Sequence, residues 1–351
     1  MNDASVTNAA NVSNDANVAV IVAGTWGLAL AGVLADNGRR VTIWTRNEHQ
    51  AREINEAHHS KGMRLSPHIR ATVSLADALS GAGAVIVAAP SAAMREVAGQ
   101  MRPLVAEGTL VIHAAKGFEA ATRKRMSTVL AEELPQCDPA DIVALSGPSH
   151  AEEVAVRRPT TVVVAAQNLR AAEAAQDLLI NSYFRVYTNP DIIGVEVGGA
   201  LKNIIALGAG LSDGLGFGDN AKAALLTRGL AEMSRLGAAM GANPLTFAGL
   251  AGVGDLVVTC TSSHSRNWRA GYLLAQGKPL SDVLKEVGMV VEGVKTTEAA
   301  FALSRQYGVS MPIASELHQV LFAGKPPQAA VHDLMKRVRT HEMEETALPP
   351  A

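Results

Sequence analysis

Val18-Ala19-Val20-Ile21-Val22-Ala23-Gly24-Thr25-Trp26-Gly27-Leu28 decides how the first half of this chain is read. Val18 to Val22 is a short apolar run rich in β-branched residues. A glycine-containing turn follows, and Leu28 to Leu34 repeats apolar residues at helical spacing. Strand, glycine turn and helix in that order open a dinucleotide-binding βαβ unit, where backbone N–H groups and the positive end of the helix dipole hold a pyrophosphate. The usual spacing is G-x-G-x-x-G. Here Val22 takes the first position and only Gly24 and Gly27 remain, so the stretch alone also fits any buried strand-to-helix turn.

Working outward, Arg39-Arg40 lead into Val41–Trp44, a second strand at the spacing such a unit requires. NAD-specific proteins place an acid after that strand for the ribose hydroxyls. This chain offers Thr45-Arg46-Asn47, with no acid before Glu48. A cation there suits a 2′-phosphate, so the pattern favours NADP(H) over NAD(H); a solvated loop arginine is the plainer reading of Arg46. Further apolar runs at Ala84–Pro90, Thr109–His113 and Asp141–Leu145 read as buried parallel strands. They end in Pro90-Ser91, Lys116-Gly117 and Ser146-Gly147-Pro148-Ser149. Ligands of open parallel sheets bind outside such carboxyl ends, which makes Lys116 a candidate ligand contact. Thr160–Ala166 and Phe184–Thr188 read as two more strands, an antiparallel pair closing the sheet.

Helical patterns dominate after Asn189-Pro190. In the apolar segment from Gly194, Leu201, Ile204, Gly208 and Leu211 fall on one side of a helix, and Gly198, Lys202, Ala206 and Ala209 on the other. A lysine among residues too small to cover it, with Glu196 and Asn203 close by, suggests a face against which another molecule lies. Alone, it reads equally as a lysine snorkelling along a helix. Glu196, Lys202 and Asp213 interrupt the apolar run, so the segment is expected to be a buried core helix and not a membrane span. Gly252-Val253-Gly254-Asp255 and Ser265-Arg266-Asn267 follow. The latter combines forked and single donors suited to a phosphate, although Ser265 also fits a helix N-cap.

The chain has 351 residues, enough for two domains with their own cores. With 48% hydrophobic, 18% charged and 4% aromatic residues, it fits a soluble α/β protein. A net charge of −2 argues against a nucleic-acid or anionic-membrane partner. Cys137 and Cys260 stand far apart with no metal-ligand spacing, as in a reduced, cytoplasmic protein. The expected organisation is a disordered leader over 1–17 without a secretory pattern, a Rossmann-type doubly wound domain over 18–190, an all-helical domain over 191–340 and a loose tail over 341–351.

Several blocks in one order carry a resemblance: Ser146-Gly-Pro-Ser149, Gly198-Gly-Ala-Leu-Lys202-Asn203, Gly208-Ala-Gly-Leu-Ser-Asp-Gly, Leu226-Thr-Arg-Gly-Leu-Ala-Glu-Met, Gly252-Val-Gly-Asp255-Leu and Ser265-Arg266-Asn267. Over about residues 18 to 340 the chain resembles the bacterial NAD(P)-dependent sn-glycerol-3-phosphate dehydrogenases. The resemblance implies reversible reduction of dihydroxyacetone phosphate, a phosphotriose, to sn-glycerol 3-phosphate for phospholipid synthesis, with a homodimer as the working form. It places Lys202 on the catalytic acid/base. Lys116, Gly147, Ser149, Lys202, Asp255, Ser265, Arg266 and Asn267 fall on substrate-binding positions. Gly24, Thr25, Trp26, Gly27, Arg46, Lys116, Ala151, Arg266, Val290 and Glu292 fall on cofactor-binding positions, and no metal is implied. Val22 replaces the family's first glycine, and its Cβ is expected to crowd the pyrophosphate or loosen the turn. His150 stands where Phe is common.

Adding hydride to a carbonyl puts charge on its oxygen, so an acid must deliver a proton. Like-charge repulsion from Lys116 is expected to lower the Lys202 pKa, with Asp255 orienting the amine and offsetting part of that shift. Glu292 reads as a nicotinamide-amide or water contact more readily than as an acid/base. Two other readings share the pattern: a β-hydroxyacid or 6-phosphogluconate-type dehydrogenase, and a ligand sensor that has lost tight cofactor binding.

Overall fold

A computed structural model describes residues 16–288, 290–339 and 341–342. The leader expected over 1–17 lies outside the described residues apart from Ala16 and Asn17, and the expected tail lies outside them beyond 342. The chain forms two compact units. The first takes the described residues up to Ala115, then Met126–Leu145 and Ser149–Ile192. The second takes Lys116–Arg125, Ser146–Pro148 and the described residues from Ile193 onward, so two short segments at or just beyond the ends of strands in the first part of the chain belong to the second unit.

The first unit holds strands β1 (Asn17–Ile21), β2 (Val41–Trp44), β3 (His59–Ser60), β4 (Met63–Arg64), β5 (Ile69–Thr72), β6 (Ala82–Val87), β7 (Leu110–His113), β8 (Val143–Ser146), β9 (Thr160–Ala165) and β10 (Phe184–Asn189). Its helices are α1 (Thr25–Asp36), α2 (Glu48–Ala57), α3 (Leu75–Leu79), α4 (Met94–Met101), α5 (Met126–Glu133), α6 (Ala151–Ala155) and α7 (Leu169–Leu179). Eight strands make one sheet in the order β10-β9-β8-β7-β6-β1-β2-β5, and β3 and β4 form a separate hairpin. β9 and β10 pair in parallel, Phe184 opposite Thr160, and not as the antiparallel pair expected from the sequence. The reason is α7, whose eleven residues carry the chain back to the starting edge between them; direct hairpin pairing needs a short turn.

Alternation along the strands explains their near-continuous apolarity. Val18 and Val20 of β1 join one apolar cluster with Ala84 and Ile86 of β6, while Ala19 and Ile21 join another with Val85 and Val87. Helices α1 and α7 pack into the first cluster, α4 and α5 into the second. The central strands, buried on both faces, are accordingly apolar almost throughout, and polar side chains such as Arg70 and Arg185 stand on the edge strands β5 and β10. Strand order reverses at β1, which has β6 on one side and β2 on the other, and the crevice beyond that switch point is where such sheets bind ligand.

The second unit holds α8 (Ile192–Gly214), α9 (Gly218–Ala239), α10 (Asp255–Thr261), α11 (Arg266–Ala275), α12 (Leu280–Val287), α13 (Glu292–Tyr307), α14 (Pro312–Phe322) and α15 (Pro327–Met335). Helix α8 is long and apolar enough to cross a membrane, yet 94% of its apolar window is buried inside the protein. It is the axis of this unit's core, and it is buried on every side from Val195 to Ser212. The small residues flanking Lys202 on this face are taken up by packing against neighbouring elements. Ala206 and Ala209 are fully buried, and a Cβ on Gly198 would stand 2.6 Å from the Ala251 carbonyl oxygen. Small residues here admit neighbouring backbone. Where α8 crosses α11, a Cβ on Gly210 would lie 1.9 Å from the Trp268 carbonyl oxygen and one on Gly271 would lie 2.0 Å from that of Leu207.

Candidate active site

Lys202 is 6% exposed in the middle of α8, and its ammonium cannot remain charged there without partners. Two are present: Nζ donates to Asp255 Oδ1 and, at 2.8 Å, to Thr259 Oγ1. Asp255 opens α10 after a five-residue π turn at Leu250–Gly254 that is kinked at Gly252, so the carboxylate meets the positive end of the helix dipole. Thr259 lies one turn later and donates to the Asp255 carbonyl oxygen at 2.6 Å. Lys116 completes the group, donating to Asp255 Oδ2 at 2.7 Å and to the Gly147 carbonyl oxygen at 3.0 Å. One carboxylate thus bridges two ammonium groups. Glu196, expected beside Lys202, instead pairs with Arg125 at 2.5 Å.

The electrostatics follow from burial first. Burial pushes the Lys202 amine down to about 8; Asp255 pulls upward against it and Lys116 pushes further down. Desolvation therefore leads the like-charge effect that the sequence suggested. Burial also pushes the Asp255 carboxyl upward, but Lys116 and Lys202 together with their hydrogen bonds outweigh it and hold the group below the ordinary value. The carboxylate form of Asp255 is thus favoured by its two ammonium partners, and the Lys202 amine holds its proton less tightly than an exposed lysine.

A second network borders the first. Asn203 donates to Glu292 Oε2 at 3.3 Å and accepts from Asn267 Nδ2 at 2.8 Å, while Asn267 Oδ1 accepts the Gly293 N–H at 2.8 Å. Asn267 is thus tied into the scaffold joining α8, α11 and α13, which leaves one amide hydrogen for a ligand. Ser265 is the N-cap of α11, its Oγ accepting from the Trp268 N–H at 3.2 Å, as its residue type allowed. Its hydroxyl hydrogen can still be donated. Arg266, half-buried at the first position of α11, acts on Glu292, whose carboxyl is raised by burial and lowered in part by Arg266, Lys202 and Lys116. Val290 is exposed just before α13. Thr259 escaped the sequence reading, because a threonine inside an apolar helix looks like any other; its offset of four from Asp255 was the available signal.

In the first unit, the turn after β1 fits an anionic cofactor. Gly24 caps α1 with extended backbone, no side chain caps the helix, and its first turn holds no acid. A Cβ on Gly24 would meet nothing within 4 Å, whereas one on Gly27 would stand 2.3 Å from the Val22 carbonyl oxygen. Val22 keeps the glycine-type conformation, with φ at +81°, and its side chain packs against one of the sheet's apolar clusters. The turn is not loosened: the Val22 and Ala23 N–H groups both donate to the Trp44 carbonyl oxygen at 3.1 Å. Thr25 and Trp26 open α1, and the buried Trp26 Nε1 has no partner among the described residues. Ala151 opens α6, and Ser149 lies two residues before it. Arg46 follows β2 as expected, and its Nη2 donates to Glu96 Oε1 at 2.6 Å. Gln50 was not singled out, yet it donates to the Ala23 carbonyl oxygen at 2.8 Å and accepts from Thr45 Oγ1 at 2.7 Å, bracing the turn.

Comparison with known proteins agrees in both halves. A family model described as the NAD-dependent glycerol-3-phosphate dehydrogenase N-terminus matches residues 17–172, and the corresponding C-terminus model matches residues 191–332. The chain is 58% identical over 332 residues to a glycerol-3-phosphate dehydrogenase [NAD(P)+] of Bacillus velezensis, covering 93% of this chain and 96% of that one. It is 57% identical over 334 residues to the enzyme of the same name from Geobacillus kaustophilus, covering 94% and 97%. Among solved structures, glycerol-3-phosphate dehydrogenase from Coxiella burnetii matches with a TM-score of 0.87 at 36% identity, over 93% of this chain and all of that one.

Proposed function

This chain belongs to the NAD-dependent glycerol-3-phosphate dehydrogenase family, and from that premise we propose how its residues divide the work. The activity is the reversible reduction of dihydroxyacetone phosphate to sn-glycerol 3-phosphate with NAD(P)H. The nicotinamide supplies the hydride when bound. Lys202 delivers the proton: Asp255 and Thr259 take two of its three N–H bonds, and the third is directed to the carbonyl oxygen as charge develops there. An amine lowered to about 8 is matched to acid work near neutral pH, since it is protonated at rest yet gives the proton up readily. Asp255 fixes the amine's position, and Lys116 supplies a second positive charge on the same side.

The substrate phosphate is held at the start of α11, by the Arg266 guanidinium, the Ser265 hydroxyl, the remaining Asn267 amide hydrogen and the free N–H groups of the first turn. Asn203 and Asn267 position Glu292 for the cofactor's amide. Gly24, Thr25, Trp26 and Gly27 take the pyrophosphate, and Arg46 the adenosine ribose end. Ser149, Ala151 and Val290 keep the roles the family assigns them. By the same reading the enzyme works in the cytoplasm as a homodimer and feeds phospholipid synthesis.

The observation that carries this reading is the buried Lys116–Asp255–Lys202 bridge. Lys202→Met is expected to lower turnover by about 10²- to 10⁴-fold, the range of a general acid, with NADPH binding nearly unchanged by fluorescence titration. Turnover within a few-fold of the parent, or an equal loss of NADPH affinity, would remove Lys202 from this role.

A further inference from the structure

The acid that NAD-binding proteins carry after the second strand is missing from this sequence, and the fold supplies one from elsewhere. Glu96 lies in the first turn of α4, fifty positions beyond Arg46, and its carboxylate meets the Arg46 guanidinium at 2.6 Å. We propose that Glu96 and Arg46 form a two-way ribose site, Glu96 accepting from the adenosine ribose hydroxyls of NAD(H) and Arg46 binding the 2′-phosphate of NADP(H). The proposal rests on the dehydrogenase reading above and names a specificity residue for it.

Three features support it. The arginine's position is tied to the phosphate cradle: the carbonyl of Trp44, two residues earlier, holds the Val22 and Ala23 N–H groups, and Gln50 links Thr45 to Ala23. The guanidinium is also steadied over the Trp44 ring, 5.6 Å from its centroid. Each partner keeps an unused edge. Gln100 Nε2 and Arg46 Nη2 both donate to Glu96 Oε1, while Glu96 Oε2 and the Nε and Nη1 of Arg46 carry no bond among the described residues. Finally, the two side chains are 57% and 59% exposed, and an ion pair in that setting is held weakly enough for a ligand to open.

The chemistry of the two cofactors then divides cleanly. A ribose 2′-hydroxyl donates to Glu96 Oε2 and leaves the ion pair in place. A 2′-phosphate takes over the guanidinium as a stronger, multidentate acceptor, and repels the carboxylate it displaces. Glu96 therefore favours NAD(H) and handicaps NADP(H), and Arg46 does the reverse.

The test is equilibrium binding of NADH, NADPH and 2′,5′-ADP to the full-length chain by calorimetry, with circular dichroism to confirm folding. Glu96→Gln keeps the shape and removes the charge. It is expected to tighten NADPH and 2′,5′-ADP and weaken NADH, moving the NADPH-to-NADH affinity ratio by about tenfold. Arg46→Gln is expected to weaken NADPH and 2′,5′-ADP by about tenfold or more while NADH stays within about twofold. If Arg46→Gln acts as stated but Glu96→Gln moves both cofactors together, or neither, the selector role of Glu96 is wrong. If Arg46→Gln also leaves NADPH unchanged, the placement of the ribose at this turn fails with it.

Discussion

Two carboxylate–cation groupings in this molecule have similar geometry and opposite surroundings. In the second unit Asp255, 1% exposed, bridges Lys116 and Lys202. In the first, Glu96 meets Arg46 with more than half of each side chain in solvent. Burial strips the first group of water, so every charge must be answered within the protein and the amine's proton affinity is set by its neighbours. Exposure leaves the second group with water as an alternative partner, so its affinity for itself is small and a ligand can replace either half. Similar ion-pair geometry thus accompanies a lowered amine proton affinity in one place and a weakly held surface pair in the other.

The contrast is broken most severely by taking away the buried carboxylate. Asp255→Ala leaves two ammonium groups facing each other in a closed site, and is expected to destabilise the fold by about 3–5 kcal/mol, the loss typical of one partner removed from a buried pair. Urea unfolding measures it. A loss below about 1 kcal/mol would mean the bridge behaves like a surface pair. Activity should disappear as well, because Asp255 holds the Lys202 amine in place and keeps its pKa from falling further.

A gentler change acts on proton affinity. With Lys202 as the proposed acid, kcat/KM for dihydroxyacetone phosphate should fall as pH rises through about 8, and the oxidation of sn-glycerol 3-phosphate should rise through the same point. Lys116→Met removes a like charge that pushes the amine down, and should carry that limb to higher pH, at a reduced overall rate. A limb that stays put or moves down would mean Lys116 does not act on Lys202 electrostatically. Stability carries a matching sign. The folded amine releases its proton near 8 and the unfolded one near 10.5, so the native state binds fewer protons between those values and this group adds stability as pH rises across that window.

How much of this was legible in the sequence follows from how local each cause is. The strand-turn-helix opening, the strand ends at Lys116 and Gly147, and Lys202 on a buried helix all stand in patterns of a few residues. The face of small residues on α8 was legible as a feature but not in meaning, because a closely packed backbone and a bound ligand both require the absence of side chains; only the neighbours at Ala251 and Trp268 decide between them. Val22 illustrates a different limit. Sequence shows that a glycine is missing, whereas the +81° φ shows that the chain holds the glycine conformation regardless, with surrounding hydrogen bonds enforcing what the residue resists. Partners brought together by the fold alone, such as Thr45 with Gln50 across α2's first turn or Glu96 with Arg46 across fifty residues, leave no periodic trace.

The smallest expected effect is the most discriminating for the comparison. Glu96→Ala deletes an exposed carboxylate whose partner keeps both water and the Trp44 ring, so unfolding free energy should change by less than about 1 kcal/mol, and less still at high salt. The same substitution should shift cofactor preference toward NADPH, since the repulsion against a 2′-phosphate vanishes with the charge. Stability and selectivity are thereby separated at one residue, whereas at Asp255 they fall together. A Glu96→Ala variant that lost several kcal/mol by urea unfolding would show that its ion pair is structural, and a structural pair could not yield its arginine to a ligand.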